Sequence, residues 1–395
     1  MADPTAERPD GAPDEAGAQA EQERQDHGTT EGEHSPATGK PWLSSYDPEV
    51  EPELDYDYRP LFEFLDLTAE RHPKRKALVF QNYSLTYRKL KRLTEVVAAN
   101  LRDMGVRPGD TVGIMLPNTP QAIIAYWGVL RAGAVVSMAN PLYMETEIVH
   151  QFNDAGIRTL ITLDLLWPRL EKLRDQVPVE RWIVTGIADG LRFPLNALYR
   201  LKARRSGQAP VVPYDGETVL PFKDLVRGNG AYTCPGIDPV NDTALLQYTG
   251  GTTGVAKGCI LTHANLAANM QQCHAMVHTL GKEQETFLGI LPYFHIYGLT
   301  TCLNFPTLLG ATIVPFPRYS PKDVLKGIQR QRPTVFPGAP ALYISLLQQK
   351  DAARYDLKSI KYCISGSAPM PVDYIERFKE ATGATILEGF GLTEA

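Results

Sequence analysis

Two hydrophobic periods alternate along this chain, and that alternation constrains the fold more than any other feature. From about residue 76, short β-branched runs take turns with longer runs whose apolar residues recur every three to four positions. "KALVF" and "YSLTY" flank Gln81-Asn82 and read as a hairpin. Thr86 then opens a helix with Leu90, Leu93, Val97 and Leu101 on one face. "DTVGIML" reads as a strand, and "NTPQAIIAYWGVLRAG" as a helix capped by Asn118 or Thr119 and closed by Gly133. "AVVSM", "ETEIVHQFNDAG" and "RTLITL" repeat the cycle. A second series starts at "TALLQYTGG" and runs through a helix over 263–280. Strands "TFLGILP", "ATIVPF", "PTVFPG" and "IKYCISG" follow, interleaved with helices "PKDVLKGIQRQ", "ALYISLLQQ" and "PVDYIERFKEATG". Such regular alternation implies parallel sheets in a layered α/β fold.

The 395 residues are 43% hydrophobic, enough for a large core. The expected division is a tail over 1–45, a first α/β subdomain over 46–240 and a second over 241–395. A Pro/Gly-rich stretch, Arg192–Pro239, separates the two series and reads as an irregular insertion, basic over about 190–235. Residues 1–40 hold ten acidic against three basic side chains, a net −7 in a chain of net −5, so the remainder is +2. A near-neutral remainder argues against nucleic acid as a partner. The tail has no Val, Ile, Leu, Phe, Trp or Tyr before Trp42, so it is expected to be disordered. It also lacks the basic start and apolar stretch of a secretory signal. Cys234, Cys259, Cys273, Cys302 and Cys363 are scattered with no CxxC pair, as suits a reducing compartment without structural zinc. No uncharged apolar run reaches about 18 residues, so a cytoplasmic chain is expected. Within the insertion, "LRFPLNALYRLKARR" (191–205) interleaves Arg192, Arg200, Lys202, Arg204 and Arg205 with Phe193, Leu195, Leu198 and Leu201. A basic amphipathic helix of this kind is a candidate for peripheral contact with an anionic membrane; the alternative is a surface helix packed on the protein.

The stretch richest in chemistry is "YTGGTTGVAKG", Tyr248 to Gly258. It follows an apolar strand and gathers glycines, three threonines and one lysine without an acid. Glycines let backbone N–H groups approach a phosphate. Thr249, Thr252 and Thr253 add hydroxyls, and Lys257 adds positive charge. It is not a Walker A loop, because G-K-[ST] is missing.

Here the chain resembles the acyl-adenylate-forming enzymes: acyl-CoA synthetases, peptide-synthetase adenylation domains and luciferases. "YTGGTTGVAKG" is similar to their phosphate loop, "LPYFHIYGL" (Leu291–Leu299) to their second core motif, "ISGSAPM" (Ile364–Met370) to their adenine-side loop and "EGFGLTE" (Glu388–Glu394) to their third. The four stand in the family's order over 241–394, and the likeness spans about 58–395. Gly250 and Ala256 within the first motif resemble the bacterial long-chain fatty acid CoA ligases. The fold implied is the large N-terminal domain of such an enzyme, with layered mixed or parallel sheets flanked by helices.

The activity implied joins a fatty acid to ATP as acyl-AMP and then to CoA. Thr249, Gly250, Gly251, Thr252, Thr253, Gly254 and Lys257 would hold the phosphates, and Glu394 with Thr249 would hold Mg²⁺. Thr393 would bond the α-phosphate. Phe390, within Glu388, Gly389 and Gly391, would lie on the adenine opposite Gly366, Ser367 and Ala368. Family members often carry Tyr where Phe390 stands. His295 would sit between carboxylate and acyl tunnel, beside Tyr297. Gly338 and Ala339 in "FPGAPALY" would leave room for the alkyl chain. Fatty acyl-AMP ligation, ligation of aryl or short acids, and a non-catalytic ATP- and acyl-binding fragment are the alternatives. Family members continue past the third motif with a small mobile domain, absent from this sequence, so impaired activity is expected of the chain as it stands. Other patterns carry less: "HAMVH" (His274, His278) lacks the Glu of HExxH, Cys259 reads as a buried small hydrophobe, and Ser365 and Ser367 do not form a hydrolase elbow.

Overall fold

The structure is a computed structural model that describes residues 40–207, 209–249 and 254–394. The tail before residue 40 and the loop residues Gly250, Gly251, Thr252 and Thr253 lie outside the described residues. Contacts divide the chain after Pro52. Before that point a 3-10 turn, Pro41–Ser45, ends with the Tyr46 N–H donating to Leu43 O. The second unit runs from Glu53 onward.

Its elements run α1 (Leu61–Arg71), β1 (Lys76–Phe80), β2 (Tyr83–Thr86), α2 (Tyr87–Asp103), β3 (Thr111–Met115), α3 (Pro120–Arg131), β4 (Val135–Met138), α4 (Glu145–Asp154) and β5 (Thr159–Leu163). Then come β6 (Arg181–Thr185), α5 (Leu195–Arg205), β7 (Val219–Pro221), β8 (Thr243–Thr249), β9 (Lys257–Thr262) and α6 (His263–Met276). The last part holds β10 (Thr286–Gly289), β11 (Thr312–Pro315), α7 (Pro321–Gln331), β12 (Val335–Gly338), α8 (Pro340–Leu347), β13 (Tyr362–Ser365), α9 (Val372–Thr382) and β14 (Thr385–Glu388).

Two seven-stranded sheets result, ordered β7-β6-β5-β3-β4-β8-β9 and β14-β13-β12-β10-β11-β1-β2. Pairing is parallel except for the hairpins β1/β2 and β8/β9, each at a sheet edge. The expected α/β layers are therefore present, as mixed sheets. The boundary expected at 240/241 does not separate the sheets. β8 and β9 lie after it yet complete the first sheet, and β1 and β2 lie before it yet edge the second. Strands join the neighbour that satisfies their backbone groups, and chain order does not fix which sheet offers it. The stretch Arg192–Pro239 is not irregular throughout, since it contributes α5 and the edge strand β7. The helix expected over 263–280 stops at Met276.

Packing follows from the helices' composition. α3 is apolar along nearly all its faces and is buried along its whole length, as such a helix must be. Gly128 lets α2 approach it closely: a Cβ there would stand 2.3 Å from Val97 Cγ1. The buried Arg131 pairs with Asp66 and lies over the Phe62 ring, 4.7 Å from its centroid. Thr119 is the helix cap, accepting from the Ala122 N–H at 3.3 Å. That frees Asn118 for another task. From the end of β3, its Nδ2 donates to Gly289 O (3.0 Å) and Leu291 O (2.8 Å), and its Oδ1 accepts from the Tyr293 N–H (3.0 Å). One buried amide thus ties the first sheet to the end of β10 in the second.

Asn118→Leu keeps the branched shape and orphans the buried Leu291 carbonyl and Tyr293 N–H, while Gly289 O keeps the Phe316 N–H. It is expected to lower the unfolding free energy by about 3 kcal/mol. Urea denaturation checks this; a loss below about 1 kcal/mol would show that the tie is not structural.

Candidate active site

The site is built where strand ends from both sheets converge. On the first sheet, β8 and β9 pair antiparallel with Tyr248 opposite Gly258 and Thr249 opposite Lys257, so the Gly-rich segment is the tip of a hairpin. Gly254 has φ +132, a conformation that side chains rarely adopt. Gly258 has no room for a side chain, because a Cβ would stand 3.0 Å from Tyr248 Cζ. Lys257 is exposed on the returning strand.

On the second sheet, register places Gly338 opposite Ser365 and Ser365 opposite Glu388. Three parallel strands thus end side by side, and the loops leaving them carry Ala339, Gly366–Met370 and Gly389–Glu394. The carboxyl ends of parallel strands are the usual place for a ligand in such sheets. The Gly366 N–H donates to Gly338 O (3.3 Å) and the Gly389 N–H to Ser365 O (2.8 Å), which carries the alignment into the loops. Ser367 has φ +72, unusual for a residue with a side chain and typical of functional loops.

Side chains close these pieces into a ring. Gln247 Nε2 on β8 donates to Phe294 O at 2.6 Å. Three residues on, the Tyr297 hydroxyl reaches Gly338 O (2.9 Å) and Ile364 O (2.7 Å). The loop after β14 then returns to the first sheet, where Cys259 Sγ on β9 lies 3.9 Å from Thr393 O. Burial, and secondarily the charge of Glu394, pushes the Cys259 thiol up, so it is poorly suited to be a nucleophile. The structure therefore brings together the described parts of all four motifs.

Individual side chains differ from their sequence-derived roles. Tyr297 spends its hydroxyl on two backbone carbonyls, and burial pushes that phenol far up, so it acts as a strap between β12 and β13. The missing side chain of Gly338 leaves no void for an alkyl chain: a Cβ there would lie 2.8 Å from Tyr343 Cζ. Tyr343 is itself fully buried and donates to Phe336 O (2.8 Å) and Ile364 O (2.9 Å). Glu388 Oε1 accepts from the Met370 N–H at 2.7 Å, so this carboxylate holds the 366–370 loop. His295 Nδ1 accepts from the Tyr297 N–H at 3.3 Å, and burial lowers its pKa, favouring the neutral ring. With Nδ1 as acceptor, the ring proton sits on Nε2. Phe390 is 94% exposed, an open aromatic face. Thr249 and Glu394 offer hard oxygen donors suited to Mg²⁺, and among the described residues no cluster of three His, Cys, Asp or Glu could hold a metal unaided. A shared metal held partly by phosphate oxygens fits that donor set.

Gln247, Asn118 and Glu388's strap were not foreseen from sequence. Gln247 is a polar residue in the apolar run "TALLQYT", and a buried amide there is a signal that could have been used.

A large cavity of about 1070 Å³ opens beside the carboxyl ends of β1 and β11, under α5. Phe80, Leu163, Ile187, Val314 and Phe316 line it, with Lys202, Arg318, Lys326 and Arg330. Leu195, Leu198, Tyr199, Lys202 and Ala203 also line it, so one stripe of α5 faces this space. No residue of α5 is buried, and Leu198 is 56% exposed.

Comparison with known proteins agrees with this geometry. A family model described as AMP-binding enzyme matches residues 65–395. The chain is 40% identical over 359 residues to a long-chain-fatty-acid--CoA ligase of Bacillus subtilis (strain 168), covering 90% of this chain and 64% of that protein. It matches the crystal structure of the anthranilate CoA ligase AuaEII in complex with anthranoyl-AMP with a TM-score of 0.75 and 27% identity, over 86% of this chain and 61% of that one. A long-chain-fatty-acid-CoA ligase structure from Archaeoglobus fulgidus shares the fold, with a TM-score of 0.72 and 22% identity over 89% of this chain and 67% of that one. The chain spans about 64% of the length of the Bacillus relative. Four motifs in order, two sheets that join them and a family match over most of the chain lead to one conclusion: this chain belongs to the AMP-binding enzyme family.

Proposed function

We propose that this chain carries the ATP- and fatty-acid-binding part of a long-chain fatty acid CoA ligase. The observation that carries the reading is the ring of contacts from Gln247 through Tyr297 to Thr393 and Cys259, which links described parts of the four motifs. In the reaction a fatty carboxylate oxygen attacks the α-phosphorus of ATP in line. The bond to the bridging oxygen breaks, acyl-AMP forms and pyrophosphate leaves. In the whole protein the CoA thiolate then displaces AMP to give the thioester. Little covalent work falls to side chains, whose task is to position two anions and offset the charge gathering on phosphate.

The residues take the following parts. The hairpin tip from Thr249 to Lys257 holds the β- and γ-phosphates, with Gly250, Gly251, Thr252 and Thr253 outside the described residues. Thr393 donates to the α-phosphate. Phe390 offers its ring to adenine, with Gly366, Ser367 and Ala368 opposite and Gly389 and Gly391 as flexible joints. Glu394 and Thr249 hold Mg²⁺, which neutralises phosphate charge when bound. His295, neutral with its proton on Nε2, donates to the fatty carboxylate.

The alkyl chain needs space beyond Gly338, where a Cβ would already meet Tyr343. The cavity under α5 has the apolar walls and the size, above the roughly 300–1,000 Å³ usual for small-molecule sites, to take it. Filling it would complete the burial of Leu195, Leu198 and Tyr199. Peripheral contact with an anionic bilayer fits the other side of the same segment. Phe193 is 81% exposed and Leu201 45%, and neither lines the cavity; Arg192, Arg204 and Arg205 lie beside them. Each such base contributes about 1 kcal/mol near an anionic surface.

Oleate-dependent exchange of pyrophosphate into ATP tests the activity. Exchange is expected with oleate, with Glu394→Gln slowing it about a hundredfold. Absence of both exchange and ATP binding would contradict the reading, and exchange with benzoate but not oleate would favour an aryl-acid ligase. Ala203→Trp narrows the cavity and is expected to lower the efficiency with oleate about tenfold while sparing octanoate. An equal effect on both acids would place the alkyl chain elsewhere.

For the membrane, cosedimentation with phosphatidylglycerol vesicles is expected, weakened by salt and by the pair Arg204→Glu and Arg205→Glu. Equal binding to phosphatidylcholine vesicles, or none to either, would contradict it.

A further inference from the structure

Both legs of the Gly-rich hairpin are touched by α4, a helix that carries none of the four motifs. His150 and Asp154 stand four positions apart on it, hence on one face. His150 Nε2 lies 2.7 Å from Ala256 O on the returning leg. A carbonyl can only accept, so Nε2 carries the proton and donates. On the outgoing leg the Tyr248 hydroxyl donates to the Asp154 carboxylate. The Tyr248 ring meets His150 edge-on with centroids 6.3 Å apart, lies against the backbone of Gly258 and belongs to the buried cluster that includes Met115, Ala139, Ile148 and Phe152.

α4 is itself fixed to the sheet that bears the hairpin. Ile148, Gln151 and Phe152 are buried, and Gln151 Nε2 donates to Ser137 Oγ (3.0 Å) and Met138 O (3.1 Å) on β4. β4 is the immediate neighbour of β8, with Met138 opposite Gln247. The clamp and the strand it holds therefore share one rigid frame.

A glycine-rich segment has few side chains to pack and a backbone with much freedom to lose, so its placement depends on its flanks, where Tyr248 is buried and Ala256 packs against the same apolar cluster. A leg already pinned loses less entropy when a ligand orders the tip. We propose that His150 is a positioning residue for nucleotide binding: its bond to Ala256 O fixes the returning leg so that Lys257, the next residue, meets the phosphates. Tyr248 and Asp154 hold the opposite leg. This rests on the nucleotide reading of the hairpin, and neither His150 nor Asp154 touches the nucleotide.

Calorimetric titration of ATP into the 395-residue chain, with oleate affinity and thermal midpoint measured alongside, tests it. His150→Ala is expected to weaken ATP about tenfold, with oleate affinity unchanged and the midpoint within about 2 °C of the parent. His150→Gln places an amide N–H near the position of Nε2 and is expected to restore ATP affinity to within about threefold. Tyr248→Phe probes the other leg and is expected to weaken ATP about threefold. ATP affinity unchanged in His150→Ala and Tyr248→Phe overturns the clamp while leaving the nucleotide reading intact. Loss in His150→Ala that Gln does not restore, with a lowered midpoint and weaker oleate binding, overturns it in favour of a purely structural role. No ATP binding by the parent chain sinks the nucleotide reading itself.

Discussion

Two buried side-chain amides tie the two sheets together beside the candidate site, adding direction to the apolar core that the sheets share. Asn118 ties the end of β3 to the β10 exit, and Gln247 ties β8 to the loop that carries His295. Both amides are buried, where an unmade hydrogen bond is costly and a made one is directional. A purely apolar interface would let one sheet slide over the other at little cost, since hydrophobic attraction has no direction. With the amides engaged, β8 and β9 of one sheet are linked to the loops leaving three strands of the other through Phe294, Tyr297 and Thr393.

Within that frame the division of labour among residues is plain. The straps are enclosed or half-buried: Tyr343 is fully enclosed, and Tyr297 reaches two backbone carbonyls with one hydroxyl. The residues proposed to meet ligands are open, with Phe390, Lys257 and Glu394 exposed. Order is concentrated in the walls, while the loops that would touch phosphate and adenine stay accessible. The strained turn at Ser367 stands at the meeting of the two, held by Glu388 through Met370.

The alternation of strands and helices was legible because it depends on local periodicity; Thr86 could be placed as a cap from its neighbours alone, and the cap of α3 narrowed to Asn118 or Thr119, of which the fold uses Thr119. The motifs were legible because each is a contiguous run. Features that depend on distant partners were not. β9 was hidden behind the Gly-rich segment, and its Ile260 points outward at 65% exposure, so its pattern resembles loop. The exchange of β1–β2 and β8–β9 between sheets leaves no local trace. Gly338 suggested an open pocket, yet Tyr343, five residues on, fills the space. The apolar stripe of α5 was visible, but that it faces a cavity could be learned only from the fold.

Hydrogen exchange of the backbone, compared with and without the α,β-methylene analogue of ATP plus oleate, tests most directly whether the two sheets form one site. Slowing is expected together in 248–258 on the first sheet and in 364–370 and 388–394 on the second, with β2 and β6 unchanged. Slowing confined to one sheet, or spread evenly over both, would contradict a shared site held by the amide ties.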